Sequence, residues 1–305
     1  MFNTRRAALA VTCSLVLGGL AACGDDGADT SETGDPPASS DAGGGDLPER
    51  IVSLSPTATE MLYAVGAGDQ VVAVDDQSDF PEGVPVSELS GFEPNLEAII
   101  GYEPDLVVAD ALPDDVVTGL EAADADVLLL PAAATLEDTY DQLAELAVAT
   151  GHEDEGAEVV AGMRADIDEI LASVPDRVVA PTYYHELDDT LYTVTSSTFI
   201  GELYTMAGLE NIGDAADPDG TFGGYPQLSA EHIVTTDPDF VFLADVECCG
   251  QDAEALAGRP GFAGLSAVVD GHVVELDDDI ASRWGPRVVD LFRTIVEATA
   301  GLPVG

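Results

Sequence analysis

Leu96-Glu97-Ala98-Ile99-Ile100-Gly101-Tyr102-Glu103-Pro104-Asp105-Leu106-Val107 lines up without a gap on Ala230-Glu231-His232-Ile233-Val234-Thr235-Thr236-Asp237-Pro238-Asp239-Phe240-Val241. Each copy reads as a short helix, an acidic-Pro-Asp turn and a strand. The turn has a physical cause, because proline biases the residue before it away from helix. A unit repeated in two distant parts of a chain of 305 residues calls for two lobes of like construction. Each lobe then presents a glutamate, Glu97 or Glu231, in the first turn of an equivalent helix.

The rest of the pattern fits α/β lobes. Short β-branched runs at Ile51–Leu54, Val71–Val74, Leu106–Ala109 and Val127–Leu130 read as buried strands. Helices intervene: Ser55-Pro56 supplies a cap and a first-turn proline, and Thr135 caps a segment that keeps helical spacing until Gly151. Alternating strands and helices mean an α/β layer architecture. From His152 to Val174 one longer helix carries Val160, Met163, Ile167, Ile170, Leu171 and Val174 on one face and acids around the rest. Strands are expected again at Val178–Tyr184, Phe240–Leu243 and Val273-Val274, with a last helix over Val288–Ala300. The fold class is therefore two Rossmann-like α/β lobes, residues 49–151 and 175–305, joined by one long helix over 152–174.

The amino terminus fixes the compartment. Arg5 and Arg6 precede an apolar run too short for a membrane span of ~20 residues, and Leu20-Ala21-Ala22-Cys23 follows it. This reads as a lipoprotein signal over residues 1–22, leaving Cys23 as the lipid-bearing first residue of an extracytoplasmic protein. Residues 23–48, rich in Gly, Asp, Ser and Thr, bury too little apolar surface to order themselves and read as a tether.

Nine basic residues against 59 acidic give a formal charge of −50, and loss of Arg5 and Arg6 makes it more negative still. That field repels nucleic acid and anionic lipid, so the membrane is reached only through the anchor. It also favours a salt-adapted protein, since at ~1 M salt the screening length falls to ~3 Å; a lysine-poor base composition accounts for it equally well. Lysine is absent altogether, which excludes phosphate-loop, Schiff-base and Ser-x-x-Lys chemistry. No Gly-x-Ser-x-Gly elbow, His-Glu-x-x-His helix or usable Ser-His-Asp set occurs. A binding module is expected over its competitor, an extracytoplasmic enzyme.

Seven segments then carry a resemblance: Arg50-Ile51-Val52-Ser53-Leu54-Ser55-Pro56-Thr57-Ala58-Thr59-Glu60, Gln77-Ser78-Asp79-Phe80-Pro81, Asn95-Leu96-Glu97, Glu103-Pro104-Asp105-Leu106-Val107, Gly208-Leu209-Glu210-Asn211-Ile212, Tyr225-Pro226-Gln227-Leu228-Ser229 and Ser282-Arg283-Trp284-Gly285-Pro286-Arg287. As a set they resemble the substrate-binding proteins of iron-siderophore and cobalamin ABC importers. The resemblance implies a rigid helical backbone between the lobes and a small-molecule chelate in the cleft. It also implies a monomer that docks onto the transmembrane permease through Glu97 and Glu231. A first-turn glutamate that merely complements the helix dipole is the simpler reading.

Loops beyond strand ends should form the pocket. In the first lobe these hold Gln77, Phe80 and Phe92, with the Gln77–Phe80 loop placed near the ligand by comparison with cobalamin binders. In the second lobe Tyr184 and His185 end a strand, and Phe222 and Tyr225 flank a Gly-Gly pair. Trp284 is the only tryptophan, either a cleft wall or a packing residue. Flat aromatic faces suit a macrocycle or an aromatic chelator, and Tyr225 falls where the cobalamin binder has a stacking aromatic. Arg283 invites an anionic ligand group or else pairs with nearby acids, whereas Arg287 reads as structural. The neighbours Cys248 and Cys249 either form a vicinal disulfide or stay free thiols. No metal site or cofactor is expected. The ligand reads as a corrinoid, with a ferric siderophore or haem as the alternative.

Overall fold

A computed structural model describes residues 47–302. The expected signal, Cys23 and all but the end of the tether lie outside the described residues. No described helix is long and apolar enough to cross a membrane.

The strands are β1 (Ile51–Ser53), β2 (Val71–Val74), β3 (Leu106–Ala109), β4 (Asp126–Leu129), β5 (Thr182–Glu186), β6 (Glu210–Asn211), β7 (Phe240–Leu243) and β8 (Val273–Glu275). They form two four-stranded sheets, β2-β1-β3-β4 and β6-β5-β7-β8, and every pairing is parallel. The helices are α1 (Pro56–Ala64), α2 (Leu96–Ile100), α3 (Asp114–Glu121), α4 (Leu136–Thr150), α5 (Glu153–Ser173), α6 (Phe199–Met206), α7 (Ala230–Thr236), α8 (Val246–Cys249), α9 (Ala253–Gly258), α10 (Ser266–Asp270), α11 (Asp278–Ser282) and α12 (Val288–Thr299).

The two sheets share one strand order, second-first-third-fourth, and the repeated segment sits at the same place in each. Helix α2 feeds β3, and α7 feeds β7. The acidic residue before each proline turns into the left-handed region, Glu103 at φ 49° and Asp237 at φ 50°. The aspartate after it ties down the entering end of the lobe's first strand. Asp105 accepts from the Glu49 and Arg50 amides at 2.9 and 3.0 Å. Asp239 accepts from the Thr182 amide and hydroxyl at 2.8 and 2.9 Å.

Strand alternation distributes the core. Ile51 and Tyr183 enter one apolar cluster that runs through both lobes and takes in Met61, Leu143, Leu203 and Phe292. Their strand neighbours Val52 and Tyr184 face the opposite way, into separate clusters with Val107 and Leu120 in one lobe and Val241 and Phe262 in the other. Both faces of each sheet are thus covered, as parallel sheets require. Helix α5, 21 residues long, spans about 32 Å at ~1.5 Å per residue. It packs on α4 and α12 and sends Met163, Ile167 and Ile170 into the shared core, while its acids face solvent. The strand expectations need three corrections: β6 is not among them, β4 starts at Asp126 and is an edge strand rather than a buried one, and β5 starts late. In β5, Val178 and Val179 are 83% and 79% exposed, and pairing begins at Thr182, beyond Pro181, which has no N–H to donate.

Candidate functional site

Parallel strands deliver all their carboxyl ends to one edge, and the first sheet's edge lines a cavity of about 490 Å³. Strand β1 runs into Leu54 and Ser55, and the Ser55 hydroxyl caps α1 by accepting from the Ala58 amide at 3.2 Å. Strand β2 runs into Asp75 and the loop holding Gln77, and β3 runs into Asp110. The facing wall comes from the short helix α11 and the residues after it, Asp279, Ser282, Arg283 and Trp284. Gly91 is needed where it stands, because a Cβ there would collide with the Leu54 carbonyl oxygen.

Two carboxylates sit on the floor. Asp75, 2% exposed, accepts from the Ser78 hydroxyl, which also contacts Thr59 Oγ1 at 2.9 Å. Burial raises its carboxyl above the ordinary range. Asp110 is raised for the same reason, with Ser55 pulling the other way, and its Oδ1 is buried without a hydrogen-bond partner. Sequence reasoning missed both, although an aspartate one residue past a buried strand of an open sheet is a readable signal.

Arg283 resolves toward the salt bridge. Its Nη1 donates to Glu60 at 3.0 Å and Asp79 at 3.3 Å, and its Nη2 donates to the Gln77 carbonyl at 3.2 Å and Asp279 at 2.6 Å. Arg287 closes on the same Glu60 carboxylate at 3.0 and 2.5 Å and lies 4.2 Å from the Phe80 ring centre. Glu60, on α1 of the first lobe, therefore holds two arginines of the second. Its side chain is only 2% exposed. A glutamate on the buried side of an apolar helix signalled such a partner.

Trp284 takes both roles considered for it. It packs against the shared core, lines the cavity and donates its indole N–H to Gln142 at 3.0 Å. Gln77 and Phe92 line the cavity too, whereas Phe80 lies outside its lining beneath Arg287. Phe222 and Tyr225 are 60% and 46% exposed on a loop of the second lobe and do not line the cavity. That loop is fixed: Asp217 accepts from the Phe222 and Gly224 amides at 3.0 and 2.9 Å.

Tyr184 and His185 require correction. Both are fully buried, because β5 is an inner strand and extends to Glu186, so neither ends at an open edge. His185 meets the Tyr204 hydroxyl at 2.8 Å, and burial pushes its imidazole down to about 3. Tyr184 donates to Glu186 at 3.1 Å, and Arg259 grips that carboxylate with two bonds of 2.6 Å. Next to them Asp245 is fully buried with neither carboxylate oxygen partnered; burial first, and then the Glu186 charge, push it up to about 7.

Cys248 and Cys249 are joined as a vicinal disulfide on α8, exposed and outside the cavity lining. Asp278 at the start of α11 accepts from the Val246, Glu247 and Cys248 amides at 2.8, 3.0 and 2.8 Å, which ties this turn to the cavity wall. Glu97 and Glu231 are exposed in the first turns of α2 and α7, capped by Asn95 and Ser229. Among the described residues no group of three or more His, Cys, Asp or Glu side chains is placed to hold a metal ion.

Comparisons with known proteins agree with this geometry. The cobalamin-binding protein of Halobacterium salinarum is 34% identical over 252 residues, covering 80% of this chain and 67% of that protein. An uncharacterised ABC transporter substrate-binding lipoprotein of Bacillus subtilis is 29% identical over 260 residues, covering 82% and 80%. The crystal structure of the periplasmic vitamin B12 binding protein of Vibrio cholerae superposes with a TM-score of 0.67 at 25% identity, covering 82% of this chain and 96% of that one. The model of the periplasmic binding protein family matches residues 51–280. With its paired parallel lobes and the cavity at their strand ends, the chain belongs to the periplasmic binding protein family.

Proposed function

We propose that this chain is the lipid-anchored, extracytoplasmic solute-binding component of an ABC importer, and that it captures a corrinoid in the interlobe cleft and delivers it to the permease. The observation that carries this reading is the cavity itself: strand ends of one lobe face the Asp279–Trp284 wall of the other across one shared core. The 34% identity to a cobalamin-binding protein supports the corrinoid. Capture rather than turnover fits a site whose charged lining is three carboxylates and one arginine already held by protein acids. Gln77, Phe92, Arg283 and Trp284 would line the bound ligand. Phe222 and Tyr225 would meet its outer face if the lobes close modestly, since helix α5 and the shared core resist wide hinge bending.

The position of Trp284, the only tryptophan, supplies the test. Titration with cobalamin, cobinamide, haem and ferric hydroxamates should quench its fluorescence with the corrinoids at the lowest concentrations. Absence of quenching by any corrinoid would end that preference. For the anchor, mass spectrometry of the mature protein should find Cys23 at the amino terminus carrying lipid, and Cys23→Ser should release the protein from membranes.

A further inference from the structure

Every cation near the cavity is already spent on protein carboxylates. Arg283 serves Glu60, Asp79 and Asp279, and its side chain is only 10% exposed. Arg287 serves Glu60. Lysine is absent from the whole chain. The acceptors are in the opposite condition. Asp110 keeps a buried oxygen with no donor, while Asp75, across β1 at the end of β2, has only the Ser78 hydroxyl, and Asp279 on the facing wall is already taken by Arg283. An anionic ligand entering this cavity would meet carboxylates without a free counter-ion and would have to break the Glu60 cluster to obtain one. A ligand carrying amide or ammonium N–H groups would instead satisfy the open acceptor.

Resting on the reading of this cleft as a chelate site, we infer that it selects by charge: it takes neutral or cationic chelates bearing N–H donors and rejects chelates whose periphery is carboxylate. Asp110 and Asp75 are the discriminating residues on the floor, and the Glu60–Arg283 cluster enforces the choice by keeping the guanidinium occupied. Of the two readings of Arg283, this keeps the pairing with nearby acids and drops the anionic ligand group.

The experiment uses the mature protein and Trp284 fluorescence, with ligand pairs matched in shape and opposed in charge. Aquocyanocobinamide, a monocation with peripheral amides, is compared with cobyrinic acid, the same macrocycle with carboxylates in place of the amides. A cationic ferric hydroxamate is compared with a ferric carboxylate chelate. The amide or cationic member should bind at least about tenfold more tightly at low salt, a factor within reach of a few well-placed polar contacts. Molar salt and Asp110→Asn should each narrow the gap. Equal affinity for both members of each pair overturns the inference while leaving the chelate receptor intact, as does a gap that Asp110→Asn and Asp75→Asn leave unchanged. Failure of every chelate to bind overturns the receptor reading itself, and the charge rule with it. The wild-type arms stand even if a variant fails to fold.

Discussion

Glu60 is the residue on which most depends. It is buried, it bridges the lobes, and it neutralises two guanidiniums of which neither is more than 17% exposed at the side chain. Glu60→Gln keeps the shape and removes the charge, leaving Arg283 and Arg287 under-compensated. Removal of one partner from a buried pair costs about 3–5 kcal/mol, and urea unfolding of the variant should show a loss of that order. Asp245 and His185 set opposite pH dependences. Folded Asp245 keeps a proton up to about pH 7 that the unfolded chain releases near ~4, so it withdraws stability as pH rises through that window. Asp245→Asn should therefore gain on the wild type when unfolding is moved from about pH 5 to about pH 8. Folded His185 stays neutral down to about 3, whereas the unfolded imidazole charges near ~6.5, so its contribution is complete above pH ~6.5 and is lost as pH falls toward 3. Its ring proton signals should stay flat in NMR spectra recorded from about pH 7 to about pH 4.

At the scale of elements, the repeated helix-turn-strand unit matters most. Asp105 and Asp239 recur because each pins the start of the central strand it faces, and Glu103 and Asp237 share one left-handed backbone conformation for the same turn. The repeat therefore has a folding cause that would operate without any partner. The Glu97 and Glu231 side chains have no such cause: they are exposed and no hydrogen bond or ion pair of theirs is seen among the described residues. Paired, equivalent, unengaged carboxylates are what the proposed delivery to the permease would use for docking, an interface that would give orientation and rate more than affinity. Charge reversal at both, Glu97→Arg with Glu231→Arg, should abolish uptake by cells while leaving the Trp284 titration unchanged. Uptake that survives would reduce the glutamates to complements of their helix dipoles.

On the scale of the whole molecule, charge and core act against each other. A formal charge of −50 expands the chain in dilute buffer, and the single apolar cluster running through both lobes and α5 opposes it. Salt screens the first and leaves the second. The melting temperature should rise steadily from low salt to molar salt; a flat profile would trace the acidity to base composition alone.

Period and punctuation in the chain were enough to write down two alternating α/β lobes, the long helix and the equivalence of Glu97 with Glu231, because these depend on residues close in sequence. Strands β5 and β6 were exceptions, since a run of valines cannot announce that Pro181 delays pairing and a two-residue strand carries no period. The cavity was legible only in part. Gln77, Phe92, Arg283 and Trp284 stood on loops that strand direction sends to one edge. The burial of Tyr184 and His185, the capture of Arg283 by Glu60 and the open acceptor on Asp110 came from tertiary packing alone. Whether a charged group meets a ligand or a partner is decided by side chains more than two hundred positions away, which local pattern does not record.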